Sequence, residues 1–307
     1  MIDKLRIQNT LQKAQQLSEI YNCKLNLGFS GGKDSIVLKY FADLYDIDYV
    51  ANFNNTQIEQ NPHQIQFIKS NYPEVKIIHP DKEKSFFVLM KKHGLPSIFR
   101  RWCCEHLKHS NNKLTEYRIN IMGVRGEESN NRMKRGAVSV FGNSKRAAKT
   151  YEKLKATFAN TDSQIQCESG KDKVNIYPIF DLTENEIWDI IKSEKLVVPD
   201  AYKNKRRLGC AFCPFESFGR SLETIKDCPN LTKQWLKILS DREFQETKQK
   251  NIVGKTNGTG LFYLYITQSL LTTDRTNSAL KYLNQKDLYG KTGLEKFEDY
   301  INNVLSN

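Results

Sequence analysis

Four cysteines of this chain stand in two pairs, Cys103 beside Cys104 and Cys210 three residues before Cys213. Such thiols serve zinc binding, redox exchange or iron–sulfur ligation, and a C-x-x-C by itself does not choose among these. Four thiolates are the usual complement of a [4Fe–4S] cluster, which gives Cys103, Cys104, Cys210 and Cys213 as the expected metal set. Cys228 is an alternative to one member of the adjacent pair, because neighbouring side chains on a strand point apart. Structural zinc and unligated buried thiols are the competing readings. Cys23 and Cys167 read as bystanders.

The second chemical feature is the stretch "LGFSGGKDS" at residues 27–35. A strand, a tight glycine turn and a helix present backbone N–H groups and a positive helix end to an anion. Gly31 and Gly32 permit the close backbone approach, and Lys33 adds a cation. Gly28 and Gly32 enclose three residues, one fewer than the kinase-type phosphate loop requires, and Asp34 stands where that loop has its hydroxyl. The dinucleotide G-x-G-x-x-G is absent as well.

The elements around these residues form a regular series. Residues 4–21 have helical spacing, with Leu5, Ile7, Leu11, Ala14, Leu17 and Ile20 on one broad apolar face. "KLNLGF", "DYVANFN", "EVKIIHP", "RINIMGVR" and "NIYPIFDL" read as strands, with helical "SIVLKYFADLY", "NPHQIQFIKSNY" and "SFFVLMKKHG" among them. Asn61 is the expected N-cap of the second of these helices and Gly94 closes the third. Thr183 and Glu186 form a capping box for "ENEIWDIIKS". Strands alternating with helices predict an α/β fold with a doubly wound parallel sheet over residues 1–217. Residues 218–307 read as a helical C-terminal region, closed by a helix with Leu294, Phe297, Ile301, Val304 and Leu305 on one face. The stretch at about 133–173 reads as a basic insertion, mobile or ordered by a partner.

"SGGKDS" resembles the phosphate loop of the adenine nucleotide α-hydrolase, or ATP pyrophosphatase, superfamily. "RRWCCEHLK", "MGVRGEESNNR", "IYPIFDLTENEIWDII" and "RRLGCAFCPF" follow in the order seen in its phosphoadenosine phosphosulfate (PAPS) reductase-like branch. The resemblance covers roughly residues 20–216 and implies a Rossmann-like sheet. It further implies that Ser30, Gly31, Gly32, Lys33, Asp34 and Ser35 hold the phosphates of ATP, with Lys33, Asp34 and Arg125 as catalytic residues beside the nucleotide. Glu127 and Glu128 are candidates for a place near Mg²⁺. "NFNNTQIE" matches a family segment that commonly carries Asp-Thr-Gly, and here Asn55 and Gln57 replace the Asp and the Gly.

The activity so implied is an ATP-dependent adenylating sulfurtransferase using ATP, Mg²⁺ and a [4Fe–4S] cluster, similar to the enzymes of DNA phosphorothioation or RNA thiolation. A PAPS or adenylyl-sulfate reductase is the alternative, weakened because such enzymes use a cysteine near the C-terminus and the last one here is Cys228. A non-catalytic nucleotide-sensing, nucleic-acid-binding module is the third reading.

The charge balance agrees with a polyanionic partner. The chain has 307 residues and a net charge of +12, and between Lys82 and Lys155 there are 18 Lys and Arg against 6 Glu and no Asp. Nucleic acid (DNA or tRNA), a sulfur-donating cysteine desulfurase and other proteins of the same modification system are the expected partners. His106 and His109 show no metal spacing, and Trp102, Trp188 and Trp235 read as packing residues, with a base platform as the second option for Trp102. The N-terminus has no apolar leader and no stretch is long enough to span a bilayer, so the expected location is the cytoplasm.

Overall fold

The computed structural model describes residues 2–108, 119–142, 165–169, 173–203 and 208–306. Its contacts divide the chain into two units that alternate along the sequence. Unit 1 takes residues 1–54, 63–79 and 109–207; unit 2 takes 55–62, 80–108 and 208–307.

Unit 1 is the α/β unit. Its described elements are α1 (Lys4–Ile20), β1 (Leu25–Gly28), α2 (Lys33–Leu44), β2 (Val50–Asn54), α3 (Gln64–Asn71) and β3 (Lys76–Ile78). Unit 2 supplies α4 (Phe86–His93), and unit 1 then resumes with β4 (Ile119–Met122), α5 (Asn130–Arg135), β5 (Val138–Gly142), β6 (Ile165–Ser169), β7 (Lys173–Ile176) and α6 (Glu184–Ser193). The strands form one sheet in the order β3-β2-β1-β4-β7-β5-β6. Strands β3, β2, β1, β4 and β7 are parallel, β5 runs antiparallel to β7, and β6 is parallel to β5. The sheet is therefore mixed at one edge and otherwise the expected parallel one. That edge comes from the stretch read as an insertion: its described part carries β5 and β6, while residues 143–164 and 170–172 lie outside the described residues.

One face of the central strands is apolar. Leu25, Leu27, Ile119, Ile121, Val174 and Ile176 are buried in a core shared with Leu11 and Ala14 of α1 and Ile36, Val37 and Phe41 of α2. The expected face of α1 is narrower than the spacing suggested, since Leu5 and Ile20 are exposed. The alternate strand positions carry amides. Asn52 Nδ2 donates to Asn26 Oδ1 at 2.6 Å, Asn26 Nδ2 to Asn120 Oδ1 at 2.7 Å, and Asn120 Nδ2 to Asn175 Oδ1 at 3.1 Å. All four asparagines are buried, so these bonds satisfy groups that water cannot reach. Among the described residues the ladder is open at Asn52 Oδ1, which has no partner.

Two helix starts differ in outcome. Thr183 and Glu186 form the capping box expected for α6, with Thr183 N–H donating to Glu186 Oε2 at 2.9 Å. Helix α3 begins at Gln64 with His63 as its N-cap, later than the Asn-Pro signal predicted, because Asn61 is drawn into the buried part of unit 2.

Unit 2 is helical. After α4 come α7 (Phe218–Asp227), α8 (Pro229–Leu239), α9 (Arg242–Lys248), α10 (Gly258–Ile266), α11 (Thr273–Asn284) and α12 (Gly293–Ser306). An aromatic cluster organises its core, with Trp235 ring centroids 5.1 Å from Tyr265, 5.5 Å from Phe86 and 5.6 Å from Phe212. Trp102 belongs to this core, 5.3 Å from Phe86, and its Nε1 donates to Gly94 O, so it is not a platform for a base. Phe297 and Ile301 anchor the predicted apolar face of α12. Among the described residues no helix is long and apolar enough to cross a membrane.

Candidate functional site

The loop between β1 and α2 in unit 1 has the shape of an anion cradle. Gly31 has φ +68°, a conformation that costs a side-chain-bearing residue about 1–2 kcal/mol. It is also crowded: a Cβ there would lie 2.0 Å from Gln64 Nε2, the atom that donates to Ser30 O at 2.9 Å. Ser35 Oγ donates to Gly32 O at 2.8 Å and accepts Ser30 N–H at 3.1 Å, locking the turn from within. Lys33 opens α2, and its side chain is 4% exposed. Its backbone N–H, one of those a helix start leaves without an internal partner, donates to the hydroxyl of Tyr202 at 3.0 Å.

Around Lys33 the expected catalytic residues do meet. Arg125, 3% exposed, donates through Nε to Asp34 Oδ1 (2.6 Å), through Nη1 to Glu127 Oε2 (2.9 Å) and through Nη2 to Glu184 Oε2 (2.5 Å). Lys33 Nζ lies 3.3 Å from Asp34 Oδ2 and 3.5 Å from Glu184 Oε1. Burial works against the Arg125 charge, but Asp34 and Glu184 outweigh it and hold the pKa above its ordinary value. The result is a closed group of two cations and three carboxylates beside the positive end of α2.

Glu184, Gln64 and Tyr202 were not singled out from the sequence as site residues. Glu184 is visible there only as the first helical residue after a capping threonine, and Tyr202 stands in "PDAYKN", which has no recognisable pattern. Glu128 accepts the Arg125 backbone N–H and forms an ion pair with Arg132.

The second group of residues lies in unit 2. Trp102 and Cys103 open a helical turn that continues as a short π-helix, Cys104–Lys108. Arg101 Nη2 donates to Cys104 Sγ at 3.8 Å. The adjacent Cys103 thiol favours the Cys104 thiolate and, against the opposing effect of burial and with Arg101 and Lys108 nearby, brings its pKa down to about 5. The same pairing pushes Cys103 up, and burial adds to the effect. Burial raises Cys210 to about 11 and also raises Cys213. Cys210 pairs through its backbone with Glu59, and Thr56 Oγ1 lies 3.9 Å from its sulfur. Between the two, Phe212 sits at φ +52° with its carbonyl held by Tyr265 O–H at 2.9 Å.

This arrangement corrects the metal assignment. The four thiols influence one another's ionisation, as neighbours do, yet among the described residues no three His, Cys, Asp or Glu side chains are placed to hold a metal ion. Cys104 Sγ accepts from Arg101 and Cys210 Sγ lies beside Thr56 Oγ1, and the described sulfurs do not present a common ligand set for a [4Fe–4S] cluster. Of the two carboxylates expected near Mg²⁺, Glu127 accepts from Arg125 Nη1 and Glu128 is paired with Arg132. Cys228 does not substitute: it is buried and donates to Gln60 O at 3.3 Å. His106 stacks on His93, and His109 lies outside the described residues.

The "NFNNTQIE" segment keeps its turn despite its substitutions. Asn55 Oδ1 accepts Gln57 N–H at 2.8 Å, and Gln57 adopts φ +68°, the conformation a glycine would favour. Gln57 Oε1 accepts the N–H of Phe86, at the start of α4.

The phosphoadenosine phosphosulfate reductase domain family matches residues 24–216. Two uncharacterized proteins of Methanocaldococcus jannaschii are 26% identical over 243 residues and 27% identical over 250 residues. These alignments take in 77% and 78% of this chain but 52% and 44% of the relatives, so the chain spans about half the length of the curated relatives it matches. A phosphoadenylyl-sulfate reductase from Candida auris, solved as a phosphate complex, aligns with TM-score 0.42 and 13% identity, covering 65% of this chain and 87% of that one. The U34-tRNA thiolase NcsA from Methanococcus maripaludis, solved with its [4Fe–4S] cluster, aligns with TM-score 0.32 and 16% identity over 97% of this chain and 88% of that one. At these TM-scores neither likeness bears on mechanism.

Proposed function

As this chain belongs to the phosphoadenosine phosphosulfate reductase domain family, we propose that it is a sulfur-handling enzyme that reduces an adenylyl sulfate. Each unit has its own part. The β1–α2 loop, Lys33 and the N-terminus of α2 bind the phosphate groups of an adenine nucleotide. Cys104 is the nucleophile.

One observation carries this reading: Arg101 Nη2 donates to Cys104 Sγ at 3.8 Å, a contact that favours the thiolate over the thiol. Cys104 supplies the nucleophile that the reductase reading requires. Its thiolate attacks the sulfonate sulfur, the sulfur–oxygen bond to the phosphate breaks, and the electron pair leaves with the adenosine phosphate. The product on the enzyme is a cysteine S-sulfonate. A second thiol then attacks Cys104 Sγ, sulfite departs, and the two thiols become a disulfide, which an external dithiol reduces. That second thiol is supplied by the external dithiol, because the Cα atoms of adjacent residues lie closer together than a disulfide ordinarily spans.

Anaerobic incubation of the full chain with adenylyl sulfate or phosphoadenylyl sulfate and a dithiol tests the scheme. Sulfite and a trapped S-sulfonate at Cys104 are expected, and Cys104→Ser abolishes both. Sulfite formation that survives this substitution would remove Cys104 from the mechanism.

The basic stretch between Lys82 and Lys155 favours a second reading, an ATP-dependent adenylating sulfurtransferase acting on a nucleic acid, with a cysteine desulfurase as sulfur donor. Nucleic-acid-stimulated conversion of ATP to AMP and pyrophosphate, with no sulfite from either adenylyl sulfate, is the outcome that selects it.

A further inference from the structure

We propose that the Tyr202 hydroxyl occupies the anion position of the phosphate loop and that a bound phosphate group must displace it. The proposal rests on the reading above only in taking the loop as a phosphate site.

The hydroxyl accepts the Lys33 backbone N–H at 3.0 Å, at the first residue of α2. That N–H is among those a phosphate oxygen takes at a helix start. Gly32 makes the approach possible, since a Cβ on it would lie 3.1 Å from the hydroxyl. The ring also covers the loop cation, with Lys33 Nζ 5.7 Å from its centroid. Trp188 holds the ring edge-on at 5.5 Å, and Trp188 Nε1 donates to Glu184 Oε1, which lies 3.5 Å from Lys33 Nζ. The turn Asp200–Lys203 carrying Tyr202 is closed by Tyr202 N–H donating to Pro199 O at 3.0 Å.

A phenol offers this N–H a neutral acceptor. A phosphate oxygen offers a charged one, and it can engage Lys33 Nζ as well, so a phosphorylated ligand outcompetes the phenol. Each ligand nevertheless has to replace an existing hydrogen bond. Tyr202 thus sets a threshold that weakly bound anions do not pass, which makes it a specificity residue of the loop.

Tyr202→Phe keeps the ring on Trp188 and Lys33 and removes only the hydroxyl. Calorimetric titration of the full chain with inorganic pyrophosphate and with adenosine 3′,5′-bisphosphate is the test. The variant is expected to bind both about 2- to 12-fold more tightly than the wild type, the factor one ordinary hydrogen bond contributes. The indole N–H resonance of Trp188, assigned by its loss in Trp188→Phe, is expected to shift when either ligand is added to the wild type. Equal or weaker binding by Tyr202→Phe, or no anion binding by either protein, overturns the proposal. Tighter pyrophosphate binding by the variant, with adenosine bisphosphate refused by both proteins, supports the role of Tyr202 and removes the adenylyl-sulfate reading instead.

Discussion

Arg125 Nε donates to Asp34 Oδ1 at 2.6 Å, tying the loop after β4 to the first turn of α2. The guanidinium fork then reaches Glu127 and Glu184, so one side chain binds three carboxylates, two of which also lie near Lys33 Nζ. Arg125→Ala is expected to lower unfolding stability by about 3–5 kcal/mol, the range for removing one partner of a buried ionic group. Arg125→Lys recovers only part of that, because an ammonium lacks the fork. Urea denaturation of the three proteins checks this, and a loss below about 1 kcal/mol for Arg125→Ala would show that the network adds little beyond surface pairing.

The thiolate at Cys104 has a pH signature. Its pKa is lowered to about 5, so alkylation by iodoacetamide is expected to be fast at neutral pH and to fall only as the pH drops through about 5. The folded value lies below the unfolded one, so the stability this group adds is complete above the ordinary thiol range and disappears as the pH approaches 5. Arg101→Ala should move the reactivity midpoint upward. Peptide mapping of the alkylated cysteine against pH is the measurement, and a midpoint between pH 8 and 9 for Cys104 would contradict the assigned hydrogen bonds.

The amide ladder should respond to position. Asn120 both accepts from Asn26 and donates to Asn175, so Asn120→Ala leaves two buried groups unpaired and is expected to cost about 2–6 kcal/mol, at roughly 1–3 kcal/mol per group. Asn52 makes one ladder bond, through Nδ2, and Asn52→Ala should cost clearly less. Thermal or denaturant unfolding of both variants gives the comparison; equal losses would mean that the ladder is not acting through its hydrogen bonds.

Gln57 tests the segment that departs from the family pattern. Gln57→Ala keeps the cost of φ +68° and loses the acceptor for the Phe86 N–H, so a loss of about 1 kcal/mol is expected. Gln57→Gly loses the same acceptor but relieves the backbone, and should lie within about 0.5 kcal/mol of the wild type. The order of the two variants in a denaturation experiment decides the point, with Ala the more stable being the adverse result.

Much of unit 1 was legible because its signals are local. The glycine loop, the first helical turn after it and the Thr183–Glu186 cap each depend on residues within a few positions of one another. Arg125 was placed by resemblance. The rest of the cradle is long-range: Tyr202 meets Lys33 across 169 positions, and no pattern within "PDAYKN" announces it. The asparagine ladder was illegible for a similar reason, since each strand contributes a single amide and only the register joins them. The cysteines show the opposite error. Their spacing was easy to read, but spacing says nothing of where each sulfur points, and among the described residues no three such groups come together to hold a metal ion.

The alternation of the chain between its two units sets an order of events during synthesis. Gln60 belongs with Gly209, Glu216 and Cys228, bonded to it from 149 to 168 positions further on. At ribosomal speed those partners emerge roughly 8–30 s after Gln60 does. Until then Ile58, later buried among the helices of unit 2, has no finished surface to cover it, and the nascent protein carries a sticky, unfinished patch that a chaperone is well suited to shield.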